Sequence, residues 1–330
     1  MTTWYEDGRH GLKAGILINP LGGKNKTCAN ELFSIAKKFL DLVVWVTTPE
    51  EIKGALARMS ENEIDILIIS GGDGTVQATL TGLFSQGPFD RLPRIAILPG
   101  GTTNLIASDI GIKGSQKKAL KRLHRLILDN SLHSHTSLAK RHVIRLGYLN
   151  KIEEYGMFLG AGGIYHAVAM CQKHSTLPLL KRKAMIFSSG LEILMTGLGS
   201  KQDPDNMSKM KIIVDGRPIP EEDFLLVLST TLERLFLGLQ PFWATDKGPI
   251  HLTAVRKRPK KLLSVLLQMF FDRFSPVLAE KNGYYSFNAD RIEIYTHTGI
   301  ALDGQIFQAD PGPARPFIIE DAGQIITMSW

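Results

Sequence analysis

Three short runs carry residues whose types and spacing suit phosphate chemistry. Residues 65–80 read DILIISGGDGTVQATL: an apolar run stops at Gly71 and Gly72, Asp73, Gly74 and Thr75 follow, and a helical pattern begins. Residues 98–104 read LPGGTTN and residues 18–23 read INPLGG, each an apolar run ending near paired glycines. Glycine lets backbone N–H groups come close to a phosphate, and a following helix offers its positive end. Asp73 would repel phosphate unless a cation sat between them, so it points to Mg²⁺, bound directly or through water. Thr75 can cap the helix or bond a phosphate oxygen. The run lacks the lysine of G-x-x-x-x-G-K-S/T, and GDGTVQ lacks the last glycine of the dinucleotide fingerprint. A tight strand–helix turn with no ligand is the plain reading of one such run. Two after adjacent strands make coincidence a weaker account.

The elements that position these turns alternate through the first 110 residues. Strands are expected at 14–19, 42–47, 65–70 and 94–99. Helical spacing covers 28–40, 75–84, and a stretch from Pro49 to about Ser60, with Thr48 as its cap. Strand, turn and helix repeated in this way read as a parallel α/β sheet. From about Ser137 the pattern changes to strands at 142–148, 155–160, 209–215, 223–230, 250–255, 284–287, 291–296 and 315–320. Helical insertions interrupt them near 165–198 and 260–274, and KQDPDNMSK (201–209) reads as a loop. The fold class expected is α/β plus β, with an N-terminal parallel nucleotide-binding domain and a C-terminal antiparallel β-sandwich. The domains are drawn as 1–136 with 310–330, and 137–309.

A chain of 330 residues suits two cores. It has 39 basic and 32 acidic residues, a formal charge of +7, and a pI near 9.3. Such a balance favours an anionic partner. Nucleic acid is not expected, because no basic run is interleaved with aromatic residues. The opening MTTWYEDGRHGLKAG lacks the apolar core of a signal peptide, and Cys28 and Cys171 lack metal-ligand spacing. Those features give the expectation of a cytoplasmic protein. His133, His135, His142, His166 and His174 show no metal spacing, and no G-x-S-x-G elbow is present.

Taken together, INPLGG, SGGDGT and LPGGTTN resemble the catalytic domain of the diacylglycerol kinase family. That family includes soluble bacterial diacylglycerol kinases, related bacterial lipid kinases, and sphingosine and ceramide kinases. Later signatures follow in order: FLGAGGIYHAVA (158–169) is similar to its glycine-rich second-domain segment, and ALDGQ (301–305) stands where the family carries Asp-Gly-Glu. The resemblance implies ATP and Mg²⁺ as cofactors and transfer of the γ-phosphate to a lipid primary hydroxyl, diacylglycerol giving phosphatidic acid being the leading case. By position, Asn19 and Thr48 would contact the nucleotide. Gly71, Gly72, Asp73, Gly74 and Thr75 would shape the phosphate and magnesium site, and Gly101, Thr102, Thr103 and Asn104 would line the phosphates. Asp303 would be the general base, and the family fold would set it opposite Asp73 across a cleft.

Two positions depart from the family. Gln305 replaces its glutamate and lacks the charge. In WATDKGPI (243–250) the acid before the glycine, a structural-magnesium ligand in the bacterial enzymes, is Lys247, leaving Asp246 as the metal-ligand candidate there. ALDGQ also reads as an ordinary Asp-Gly hairpin. The basic runs KKALKRLHRLIL (117–128), LKRKAM (180–185) and RKRPKKLLSVLLQMFFDRF (256–274) are candidates for docking to an anionic membrane surface, which gives the expectation of peripheral membrane association. A homodimer is left open. The alternatives are a kinase for another lipid, sphingoid base or other glycerolipid, and a catalytically weak nucleotide-binding, membrane-associated regulatory protein. An NAD kinase fits less well, because no Asn-Glu pair follows GGDGT.

Overall fold

The computed structural model describes residues 12–129, 131–148, 152–173, 209–220, 223–235, 238–262, 264–265, 280–310 and 315–330. The chain divides into two compact units, Met1–Val143 with Gly323–Trp330, and Ile144–Ala322.

The first unit is built on a parallel sheet. Strands β1 (Ala14–Ile18), β2 (Leu42–Trp45), β3 (Ile66–Gly71) and β4 (Arg94–Pro99) lie in the order β2-β1-β3-β4, with Ile16 opposite Ile68 and Ile68 opposite Ala96. Every residue of β3 is buried, as a central strand covered on both faces requires. Ile16, Ile18, Ile66 and Ile68 cluster with Leu32 of helix α1 (Ala29–Ala36) and with Leu120 and Leu123 of helix α5 (Gln116–Leu128). The alternate residues Leu17, Leu67 and Ile69 are buried as well. Helix α2 (Pro49–Glu61) starts at a capping box: Thr48 Oγ1 accepts from Glu51 N–H at 3.2 Å, and the Glu51 carboxylate accepts from Thr48 N–H at 3.3 Å. Helices α3 (Asp73–Gln86) and α4 (Leu105–Ile110) each begin at one of the glycine turns. Thr327, in the last strand of the chain, pairs in parallel with Ile95 of β4.

The second unit is an antiparallel sandwich. One of its sheets runs β12 (Tyr284–Ala289), β11 (Ile250–Arg256), β10 (Phe224–Thr230), β7 (Phe158–Gly162), β14 (Gly299–Leu302), β15 (Gln305–Gln308). Strand β13 (Arg291–Thr296) pairs on one side with β8 (Met210–Val214), which carries the short β9 (Arg217–Pro218), and on the other with residues 317–320 of β16 (Phe317–Ser329). Strand β6 (Ile152–Gly156) pairs with residues 144–148 of β5 (Ser137–Tyr148). One core joins these layers: Leu159, Val227, Leu252 and Ile300 from the first sheet meet Ile144, Ile212, Ile292 and Phe317. Helix α6 (Gly163–Lys173) follows directly on β7.

The α/β plus antiparallel β class expected from sequence is the class found. Three local expectations differ. The strand expected at 155–160 is two strands broken at Met157, where the backbone N–H groups of Met157 and Phe158 bond the Asp303 carboxylate. The Asp-Gly hairpin read in ALDGQ is present as β14–β15, but its arms were not among the expected strands, because four residues each are too short to show an alternation. Strand β16 reaches Ser329, well past residue 320. The LKRKAM run, His174, residues 174–198 of the first expected insertion, 201–208 of the expected loop, and 263 and 266–274 of the second expected insertion lie outside the described residues. Among the described residues no helix is long and apolar enough to cross a membrane.

Candidate active site

In the first unit three glycine turns interlock. A methyl group at Gly101 would sit 2.4 Å from the Gly72 Cα, and one at Gly22 would sit 2.9 Å from the Gly100 carbonyl oxygen. One at Gly71 would strike the Thr75 side chain at 2.5 Å, and one at Gly100 the Asn25 side chain at 2.7 Å. These glycines are therefore explained by packing alone. Gly74 is not. It is exposed, with nothing within 4 Å of the place a Cβ would occupy. Its open face beside the start of α3 is where a phosphate can approach the backbone.

Polar side chains fasten the same turns. Asn19 Nδ2 donates to Thr75 Oγ1 at 2.9 Å, while Leu21 N–H donates to Asn19 Oδ1 at 2.9 Å. Asn104, in the left-handed region with φ of +53°, accepts from Gly101 N–H at 2.7 Å and donates to its carbonyl at 2.9 Å. The Asp73 carboxylate accepts from Leu105 N–H and Ile106 N–H, both at 3.0 Å, and so caps helix α4 from the neighbouring turn. Burial raises the Asp73 carboxyl above the usual carboxylate range, and the N–H groups of Leu105, Ile106 and Asn104 pull it part of the way back.

Beneath the turns lies a closed polar network that the sequence did not reveal. Asn25 Nδ2 donates to Asn19 O at 2.8 Å and to Ser70 O at 3.0 Å. Gln116 Nε2 donates to Asn25 Oδ1 at 2.7 Å, and Ser70 Oγ donates to Gln116 Oε1 at 2.6 Å. All three side chains are buried. Lys24 was also missed: it is exposed, and its N–H donates to Gly100 O at 2.9 Å, placing a cation-bearing residue beside the LPGGTTN turn. A lysine directly after INPLGG was the available signal.

The structure thus sorts the sequence candidates of this unit. Asn19, Thr75 and Asn104 hold the turns, and Thr48 caps α2. Gly74 and Thr103 are exposed, Gly72 and Thr102 partly so, and these form the accessible rim. A lone carboxylate suits Mg²⁺ carried in on nucleotide phosphates, since that ion is commonly held by one or two carboxylates plus phosphate oxygens and water. Among the described residues no group of three or more His, Cys, Asp or Glu could hold a metal without such help. Asp246 is exposed, and its carbonyl accepts from Asn288 Nδ2 at 2.8 Å.

In the second unit Asp303 and Gly304 form the two-residue loop between β14 and β15, with φ of +46° and +91°. Both signs match the type I′ turn that Asp-Gly favours. Asp303 is nevertheless only 6% exposed. Its N–H donates to Phe158 O at 2.8 Å, and its two carboxylate oxygens accept from Met157 N–H and Phe158 N–H, each at 2.9 Å. Gly156 permits this approach, because a Cβ there would lie 2.3 Å from Asp303 Oδ2. Met157 O in turn accepts from Thr230 Oγ1 at 2.8 Å and from Thr231 N–H at 3.1 Å. Gln172 of α6 donates to Gly304 O at 2.7 Å. Gln305 is exposed, so the charge missing there is not replaced by a buried contact.

Residues 13–131 match the model of the diacylglycerol kinase catalytic domain. A putative lipid kinase of Streptococcus pneumoniae is 30% identical over 115 residues, 34% of this chain and 38% of that protein. The diacylglycerol kinase of Bacillus subtilis is 31% identical over 104 residues, 30% of this chain and 33% of that protein. The matches therefore span well under half of the curated relatives' length. A crystal structure of a putative diacylglycerol kinase from Bacillus anthracis superposes with a TM-score of 0.62 at 18% identity, covering 96% of each chain, a likeness of fold.

Proposed function

We propose that the protein is an ATP- and Mg²⁺-dependent lipid kinase that phosphorylates a primary hydroxyl, diacylglycerol giving phosphatidic acid being the leading case. The observation that carries the reading is Asp303: a buried carboxylate at a hairpin tip, held rigid by two backbone N–H groups. A carboxylate is an acceptor of hydrogen bonds and of protons, the property a general base toward a hydroxyl needs. Asp303 takes the acceptor's proton as the hydroxyl oxygen bonds to the γ-phosphorus. The bond between the γ-phosphorus and its bridging oxygen breaks, and ADP leaves with the electron pair. The open backbone at Gly74, with Thr102 and Thr103, receives the phosphates. Asp73 would hold Mg²⁺, which when bound neutralises charge on the transferring phosphate. Positioning and charge neutralisation are what this reaction chiefly needs.

The test is phosphate transfer from labelled ATP to diacylglycerol, monoacylglycerol, ceramide and sphingosine in mixed micelles, with and without Mg²⁺. A labelled lipid that needs Mg²⁺ names the acceptor class. One observation favours a second reading, a nucleotide-binding regulator: both aspartates already serve backbone N–H groups in the fold. ATP binding with no product on any lipid would support it.

A further inference from the structure

We infer that the outward face of α5 is a docking surface for an anionic lipid bilayer. The inference rests on the lipid-kinase reading only for its choice of lipid; the surface itself is set by the helix. Ala119, Leu120, Leu123 and Leu126 are buried, and Trp330 Nε1 donates to Ala119 O at 2.9 Å, so α5 is clamped to its unit by one side. On the other side Lys118, Lys121, Arg122 and Arg125 are exposed at spacings of three and four residues, which puts them on one face. None of the four side chains has a hydrogen bond or ion pair among the described residues, whereas Lys117, on the flank, pairs with Glu31. The helix contains no Asp or Glu.

Like charges three and four residues apart destabilise a helix, and here four such neighbouring pairs run along one face without relief. An array of negative charge supplies that relief. Leu128, the last residue of the same helix, is 70% exposed and adds an apolar tip suited to the boundary between headgroups and acyl chains. The aromatic ring of α5, His124, is stacked on Phe39 at 4.5 Å, and no Phe, Tyr or Trp stands on the helix to stack a base, so a bilayer fits this face better than nucleic acid. Polybasic attraction to an anionic leaflet amounts to about fivefold per charge near the surface.

The test is cosedimentation of the full chain with phosphatidylcholine vesicles, with and without phosphatidylglycerol, across a salt series and without nucleotide. Replacing Lys118, Lys121, Arg122 and Arg125 together by Gln should lower binding to the anionic vesicles by about several hundredfold. The charge-matched control, Arg58→Gln, Lys209→Gln, Lys211→Gln and Arg217→Gln, should change it only a few-fold. Leu128→Gln should cost up to about tenfold, and rising salt should weaken the wild type. Equal losses in the two fourfold variants, or full competition by soluble glycerol phosphate, would overturn the inference. So would loss of single-stranded RNA binding with vesicle binding intact. Thermal unfolding shows whether the variants fold. Phosphate transfer in neutral detergent micelles is read separately and should be unchanged by the α5 substitutions. If the wild type transfers nothing there, the kinase reading fails while the vesicle result stands on its own.

Discussion

Asp73 and Asp303 solve one local problem in two different settings. Each directs its carboxylate at two consecutive backbone N–H groups of a neighbouring element, Asp73 at the start of α4 and Asp303 at the start of β7. Asp73 sits in a parallel sheet, where interlocked turns and the Asn25–Ser70–Gln116 network support it from below. Asp303 sits at a hairpin tip of an antiparallel sheet, in the gap left by Gly156, with Thr230, Thr231 and Gln172 bonded to the backbone around it. The comparison teaches that a pair of consecutive backbone donors can hold a carboxylate in either kind of sheet. What differs is how far the supporting structure extends, and so how many distant residues should affect it.

The largest expected effect is on turnover. Asp303→Asn keeps one acceptor for the backbone but loses the base, and should lower kcat by about 10²–10⁴ with little change in thermal stability. Asp303→Ala should in addition destabilise the second unit by about 2–4 kcal/mol, because two N–H groups lose their acceptor. Next come the glycines that packing requires. Gly101→Ala and Gly156→Ala place a methyl group against backbone or against the Asp303 carboxylate, and each should destabilise by about 3 kcal/mol, read by chemical unfolding. A small loss at either position would show that the turn can relax and would weaken the contrast.

The network supplies the next test. Gln116→Ala removes two buried hydrogen bonds and should cost about 1–3 kcal/mol. Because it supports only the first unit's turns, KM for ATP should rise while KM for the lipid stays unchanged. Gly74→Ala sharpens the comparison further. Nothing in the fold occupies that space, so stability should hold or rise by about 0.5–1 kcal/mol, while KM for ATP rises on the order of tenfold. An unchanged KM would mean that phosphate does not approach there.

The smallest effect concerns pH. The Asp73 carboxyl is raised by burial above the unfolded value of about 3.9, so the folded state holds that proton more tightly. Its contribution to stability is full below about pH 4 and is lost as pH rises through the raised value. Asp73→Asn should flatten that part of the profile measured by chemical unfolding.

Much of the first unit was legible because parallel strands buried on both faces read as continuous apolar runs stopped by glycine and proline. The fourth strand was expected at 94–99 and spans Arg94–Pro99; the basic helix was expected at 117–128 and spans Gln116–Leu128. The second unit was less legible. Apolar Met157 hid the break between β6 and β7, since the cause of the break, Asp303, lies 146 residues away. The polar network was hidden for the same reason: Asn25 meets Ser70 across 45 residues and Gln116 across 91. Residue types announced the glycine turns. Only the three-dimensional contacts separated Gly74 from the glycines that serve packing.

The most direct test of the account is transfer of labelled phosphate from ATP to diacylglycerol in mixed micelles by the wild type and by Asp303→Asn at matched thermal stability. The account predicts a labelled lipid from the wild type and its near-complete loss in the variant, with ATP binding retained by both. Undiminished transfer by Asp303→Asn would contradict it, leaving Asp303 as a backbone clamp and no more.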